Sequence, residues 1–410
     1  MKKLVDFLKE ERGKRSAGIL LYGPPGTGKT LTSRILATEA GAFWLDATSL
    51  PREGEWKGED VKALFSKARA LSRRGRLVLV HLEELQEIDE RFDASVSLSC
   101  ELDRIVQRKE KIFVVATTND LFKCDQRLLR PGRLYPHLGY TFPSPQGRKE
   151  ILEHYLSKKP HEPLDTASLA QLFPSYTSPA AIERLVEDSY LEALIRGGRK
   201  ITERDLVKKL LKLVLGAPEK EWNSEQERKI ACVHEAGHAV VAVELGVPVK
   251  IVAVPLRGYS RGITLTNLED GIRSTKLMED EITICYGGEI AEEFLCGERC
   301  LGRNDLDTGK ATALAFRLEA EWGKERNYYD FHFCDPTFSR LEKIFFPLPQ
   351  EKLSKIYEKV EAIMRACRKR ALRILRTYGK RELKRMAGLI YEREFLLGEE
   401  VRKAVKGAGA

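Results

Sequence analysis

The run Gly23-Pro24-Pro25-Gly26-Thr27-Gly28-Lys29-Thr30 decides the fold of the first half of the chain. It follows a short apolar stretch, residues 17–22, and opens a helical pattern over residues 29–40 that begins Lys29-Thr30-Leu31. A buried strand, a glycine-rich loop and a helix start in that order form a phosphate cradle: loop N–H groups and the helix N-terminus point at the anion. Lys29 is placed to reach the β- and γ-phosphates, and Thr30 to coordinate Mg²⁺.

Working outward, residues 77–82 and 111–117 read as further buried strands and residues 61–73 as a helix, which predicts a doubly wound α/β domain on a parallel sheet. Such a site needs acid at the end of a second strand. Glu83 and Glu84 stand there, Glu84 to polarise the attacking water and Glu83 where an Asp usually orients Mg²⁺. A third strand ends at Asn119, a polar group for the γ-phosphate. Beyond it, Leu128-Leu129-Arg130-Pro131-Gly132-Arg133 sets two guanidinium groups around a rigid turn, suited to phosphate charge in a neighbouring subunit.

The second half turns on His234-Glu235-Ala236-Gly237-His238. On a helix the i, i+4 spacing puts both imidazoles on one face, with Glu235 beside them to activate water at a zinc ion. Zinc needs a third protein ligand; Asp305, Asp307 and Glu292 are the downstream candidates, and spacing does not choose among them.

Breaks at Pro143-Ser144-Pro145 and Gly216-Ala217-Pro218 divide the chain into residues 1–143, a helical lid over 144–217, and a helix-rich region over 218–410 with strand-like interruptions at 249–256 and 262–266. The 410 residues are 42% hydrophobic and 32% charged, which excludes a disordered, collagenous or mucin-like chain. The longest apolar stretch, residues 239–256, is interrupted by Glu244, Pro248 and Lys250, so neither a membrane span nor a signal peptide is expected, and the cytosol is the default compartment. Eight cysteines without a Cys-x-x-Cys pair predict free thiols; Cys296 and Cys300 are the one close spacing. The net charge of +9 gathers partly in residues 365–376. No aromatics interleave with those charges, so they read as the solvated face of a helix whose Ile363, Cys367, Leu372 and Leu375 point inward, and nucleic acid is not an expected partner.

Pro24 to Thr30, Asn119 and Leu129-Arg130-Pro131-Gly132-Arg133 resemble the phosphate loop, first sensor and arginine fingers of the AAA+ ATPases. The resemblance implies a ring, usually a hexamer, with ATP between subunits. Glu55-Trp56-Lys57-Gly58-Glu59 is similar to the aromatic–x–Gly loop of AAA+ translocases. In that reading Trp56 grips an unfolded chain, Lys57 follows it and Gly58 lets the loop move; the alternative is that Trp56 anchors the loop to the core.

Residues 224–323 resemble the peptidase domain of the FtsH family, AAA+ zinc metalloproteases anchored in membranes. Ser224-Glu225-Gln226-Glu227, His234 to Ala239, Gly262-Ile263-Thr264-Leu265, Gly287-Gly288, Ala291-Glu292-Glu293 and Asn304-Asp305 carry it. The resemblance implies His234, His238 and Asp305 as zinc ligands, with Glu292 a structural neighbour. It also implies a cleft-bordering strand at 262–266 to whose edge substrate adds, and closing helices around residues 392–401. The family's membrane-spanning helices and adenine-packing segment precede the part that Leu4-Val5-Asp6-Phe7-Leu8-Lys9 resembles, so the nucleotide-binding part is expected to be incomplete at its front. Glu83 for the family's Asp, and Leu134-Tyr135-Pro136 for its Phe-Asp-Arg, bear on hydrolysis rate more than on phosphate binding.

The expected function is an ATP-dependent zinc endopeptidase, using Zn²⁺, ATP and Mg²⁺, that unfolds, translocates and degrades unfolded or damaged proteins in a hexameric ring. Any membrane association would come through a partner or an N-terminal segment. The alternatives are an ATP-independent zinc peptidase with a degenerate ATPase, and a noncatalytic partner of a membrane-anchored relative.

Overall fold

The computed structural model describes residues 16–49, 56–73, 75–88, 93–215, 222, 224–255, 262–266, 274–297, 305–321 and 350–407. The helix expected from Leu4, and Cys300, lie outside them. The chain divides into two compact units, residues 1–206 and 207–410.

In the first unit, β1 (Gly18–Tyr22), α1 (Lys29–Glu39), β2 (Phe43–Asp46), α2 (Gly58–Ser72), β3 (Val78–Leu82), α3 (Asp93–Arg108), β4 (Ile112–Thr118) and β5 (Leu134–Gly139) build a parallel sheet of order β2-β3-β4-β1-β5. The central strands are apolar runs rather than alternating patterns because both faces are covered. Ile19, Leu21, Leu79, Phe113 and Val115 pack with Leu36 and Ala37 of α1. On the other face Leu20, Val78, Val80, Leu82, Val114 and Ala116 pack with Leu64 and Phe65 of α2 and Leu98 and Leu102 of α3. The turn of the phosphate loop therefore leaves the carboxyl end of the interior strand β1, beside the end of β4 and one strand further from that of β3. Three helices follow, α4 (Pro145–Leu156), α5 (Thr166–Leu172) and α6 (Pro179–Ile195), and then α7 (Glu203–Leu215), within which the division between the units falls.

The second unit is built on α8 (Glu225–Glu244), capped by Ser224, whose hydroxyl accepts from the Glu227 N–H at 3.1 Å. The helix is buried nearly all round between Ala231 and Val243 because it runs through the middle of its core. Around it lie β6 (Val249–Ala253), β7 (Ile263–Thr266), α9 (Thr275–Cys285), α10 (Gly287–Cys296), α11 (Asp305–Phe316), α12 (Gln350–Tyr378), α13 (Lys380–Arg393), β8 (Phe395–Leu397) and α14 (Gly398–Lys406). The strands form an antiparallel sheet of order β7-β6-β8. Where helices alone were expected near residues 392–401, Phe395–Leu397 is a strand, because its backbone pairs with Ile251, Val252 and Ala253. Where α8 and α10 cross, a Cβ on Gly237 would overlap the Gly287 carbonyl, so the two backbones touch.

The basic run on α12 behaves as a helix face. Ile363, Cys367 and Leu375 are buried, while Arg368 bridges Glu289 and Glu293 at 2.8 and 2.9 Å and Arg370 meets Asp280 at 2.5 Å. Among the described residues no helix is long and apolar enough to cross a membrane.

Candidate functional sites

The phosphate loop between β1 and α1 is folded around its own lysine. Lys29 Nζ donates to the Gly23 and Pro24 carbonyls at 2.7 and 2.9 Å and to Asn119 Oδ1 at 2.8 Å. Thr30 Oγ1 donates to Glu83 Oε1 at 2.9 Å. Burial holds the Lys29 ammonium below its usual pKa, against the opposing pull of Glu84 and Glu83. The structure thus gathers Lys29, Thr30, Glu83, Glu84 and Asn119 at the carboxyl ends of β1, β3 and β4, whereas Leu31 is 57% exposed on the outer face of α1.

Glu84 sits in the left-handed region at φ 51°, a conformation that costs energy for a residue with a Cβ. Asn119 Nδ2 donates to its Oε1 at 2.6 Å, and Gln86 Nε2 donates to its Oε2. Gln86 is in turn held by Thr118 Oγ1 at 2.5 Å. Sequence reading missed Gln86, because an amide two residues past a strand carries no motif. It also missed the start of α6, where the Ala180 N–H donates to the Gly26 carbonyl at 3.2 Å and closes the helical part onto the loop. Ser178 before Pro179 signals a helix start but not where that start docks.

The two arginines differ. Arg130 is exposed and has no ion pair among the described residues. Arg133 forks onto Asp103, Nε to Oδ1 and Nη2 to Oδ2 both at 2.8 Å, and its Nη1 donates to the Arg127 carbonyl at 2.6 Å. The hydrogen bonds to Asp103 raise its pKa further, and its guanidinium is committed within its own subunit rather than offered to a neighbour.

Trp56 is a correction. It is 6% exposed and belongs to the sheet core with Val61 and Phe65, so in this fold it anchors rather than grips. The reason is local: Lys57 caps α2, Asp60 Oδ2 accepts from the Lys57 N–H at 2.9 Å, and Trp56 and Val61 flank that start as a hydrophobic staple. Gly58 is there for close approach, since a Cβ would lie 2.5 Å from Asp93 Oδ2 and 2.6 Å from Ser97 Oγ.

In the second unit the two imidazoles meet edge to face at 80°, ring centroids 4.6 Å apart. His234 Nε2 and His238 Nε2 are 2.9 Å apart, and Asp307 Oδ2 lies 3.0 and 3.2 Å from them. Each Nδ1 has its own acceptor, Glu292 Oε1 at 2.8 Å for His234 and the Ile284 carbonyl at 2.7 Å for His238. With Nδ1–H engaged on both rings, two Nε2 lone pairs and a carboxylate oxygen converge on one point, an arrangement only a cation satisfies. Ligands of tetrahedral zinc stand roughly 3.3 Å apart, so the donor set fits that ion. Burial disfavours a charged His234, yet Asp307 and Glu292 push its pKa up to about 10. Burial would raise Asp307, and His238 and His234 instead hold it well below the usual carboxylate range. Both shifts express the same demand for positive charge.

The third donor is thus Asp307 and not the expected Asp305. Asp305 opens the same helix, its side chain outside the described residues. Two residues along a helix turn it by about 200°, so one face cannot bring both carboxylates to one point. Glu235 follows His234 and is buried, its Oε2 accepting from Thr264 Oγ1 at 2.7 Å.

Residues 221–404 match the model of peptidase family M41, and residues 19–141 that of the ATPase family associated with various cellular activities. The chain is 32% identical to an ATP-dependent zinc metalloprotease FtsH of Thermotoga maritima, over 98% of this chain and 70% of the relative. It is 31% identical to FtsH 2 of Symbiobacterium thermophilum, over 98% and 72%, and 30% identical to FtsH of Thermus thermophilus, over 99% and 68%. With a phosphate loop on a parallel sheet in one unit and a His-His-Asp cluster in the other, the chain belongs to the FtsH family of ATP-dependent zinc metalloproteases.

Proposed function

We propose that this ATP-dependent zinc metalloprotease works as a homo-oligomeric ring of six copies that unfolds, threads and cuts unfolded or damaged proteins. It uses Zn²⁺, ATP and Mg²⁺. Its working parts are the nucleotide-binding residues 1–143, the lid 144–217 and the peptidase residues 218–410, in the cytosol or at a membrane's inner face through an anchored partner. The observation that carries the reading is the convergence of His234, His238 and Asp307 with Glu235 beside them.

At the peptidase site, zinc when bound supplies a Lewis acid that polarises the scissile carbonyl and acidifies water. Glu235 accepts a proton from the attacking water on its carboxylate and returns it to the leaving amine. The antiparallel edge of β7 offers backbone hydrogen bonds to an extended substrate, which gives breadth of sequence. At the nucleotide site the loop N–H groups, Lys29 and Thr30 bind phosphates and Mg²⁺, Glu84 orients water, Asn119 senses the γ-phosphate, and Arg130 reaches the neighbouring subunit's nucleotide.

A second reading, peptide cleavage independent of ATP, is motivated by Glu83 itself, whose extra methylene stands where an Asp usually orients Mg²⁺; its hydrogen bond from Thr30 leaves that hydroxyl's lone pairs open to the ion. Casein degradation with ATP, ADP and no nucleotide separates the two, with Glu235→Gln as control. ATP-stimulated loss absent in the control supports the coupled protease. Equal loss in all three states supports the second reading, and no loss favours a noncatalytic partner subunit.

A further inference from the structure

Thr264 lies on β7, which among the described residues pairs only with β6, Val252 opposite Thr264. Its Oγ1 donates to Glu235 Oε2 at 2.7 Å and stands 3.3 Å from the Glu235 carbonyl oxygen. Two residues earlier, just before the strand begins, Gly262 runs so close that a Cβ would lie 2.5 Å from Glu235 Cγ and 2.7 Å from Oε1. The strand is therefore laid directly across the carboxylate.

Glutamate has three rotatable side-chain bonds, and a base must be held near one geometry to act. Among the described residues Thr264 supplies the side-chain hydrogen bond that fixes this carboxylate. We infer that Thr264 is a positioning residue for Glu235: its hydroxyl holds Oε2, leaving Oε1 to exchange the proton with water and amine. Because Thr264 belongs to the edge strand, the element that receives substrate backbone also aims the base; this second clause rests on the strand-addition reading, and the first does not. Docking an extended peptide on β7 steadies the strand and with it Glu235, so chemistry is favoured when the edge is filled.

The test compares Thr264→Val, which keeps the shape and removes the donor, with Thr264→Ser, which keeps the donor. Both are made in the full chain loaded with zinc. On an unstructured fluorogenic peptide, Val lowers kcat about 10- to 100-fold, the range for a lost hydrogen bond to a charged group. KM stays within about twofold, and Ser restores most of kcat, by the hydroxyl's role as sole donor. Zinc stoichiometry is the same in all three proteins. A crystal structure of the Val variant shows the Glu235 carboxylate turned away from β7.

An unchanged kcat, a Ser variant as impaired as Val, or a raised KM with kcat intact overturns the inference. So does a Val variant whose Glu235 keeps its position. If the parent chain cleaves no peptide, the protease reading fails, while the crystallographic arm still decides the positioning.

Discussion

The two reaction sites of this chain are organised in opposite ways. At the phosphate loop the polar groups already satisfy each other with hydrogen bonds: Lys29 binds its own loop and Asn119, Thr30 binds Glu83, and two amides hold Glu84. At the His-His-Asp cluster, acceptors converge and nothing neutralises them except a cation. ATP must exchange internal hydrogen bonds for its own, so its binding is a substitution, whereas zinc completes an unfinished set. The first arrangement suits a ligand that must come and go each cycle, and the second suits one that stays.

The hardest way to break that contrast is at Asp307. Asp307→Asn removes stoichiometric zinc and with it casein cleavage, whereas Asp305→Asn keeps both; metal analysis and a cleavage assay check this, and the reverse result would restore Asp305 as the ligand. Next in size, Arg130→Ala lowers ATP hydrolysis by about 10³, the scale of a finger acting on phosphate charge. Arg133→Ala leaves turnover within a few-fold and lowers folding stability by about 1 kcal/mol, since its partner Asp103 is half exposed. Steady-state ATPase rates and thermal denaturation separate the two arginines. Glu292→Gln weakens zinc binding roughly 10- to 100-fold without removing a ligand, as loss of a histidine's carboxylate partner does; competition with a chromogenic chelator measures it. The smallest effect concerns the wall of the zinc site. Burial pushes the Cys285 thiol up to about 12, so at pH 8 it is almost wholly neutral and resists iodoacetamide, while exposed Cys100 and Cys296 are alkylated. Mass spectrometry of the labelled chain reads the difference.

How much of this the residues announce beforehand follows the same division. The phosphate loop and the histidine pair are local motifs, and their strand–loop–helix and helical settings follow from period and propensity. The long apolar strands β1, β3 and β4 fall within a residue of their expected bounds, while β2, with Phe43 exposed at its edge position, and the three-residue β8 lack a pattern strong enough to stand out. Asp305 and Asp307 differ by about 200° around their helix, which the spacing from the histidines cannot resolve. Trp56 was readable: an apolar residue before a cap, Asp60 at the third helical position and Val61 at the fourth spell a staple, and that local signal outranks the look of a gripping loop. Arg133 needed Asp103, thirty residues distant, and Thr264 needed Glu235 on the helix beneath its strand. Such pairs exist only once the chain is folded.

The crossing of α8 and α10 at Gly237 and Gly287 acts as a calliper for the metal centre. One jaw carries His234 and His238, the other carries Glu292, and the gap between them is set by two residues that have no side chain. Any Cβ at that contact widens the jaws and lengthens the Glu292 bond to His234, although no atom of the donor set has changed. Part of the tolerance of this metalloenzyme is thus machined into bare backbone, at positions where a survey of chemically reactive groups would never look.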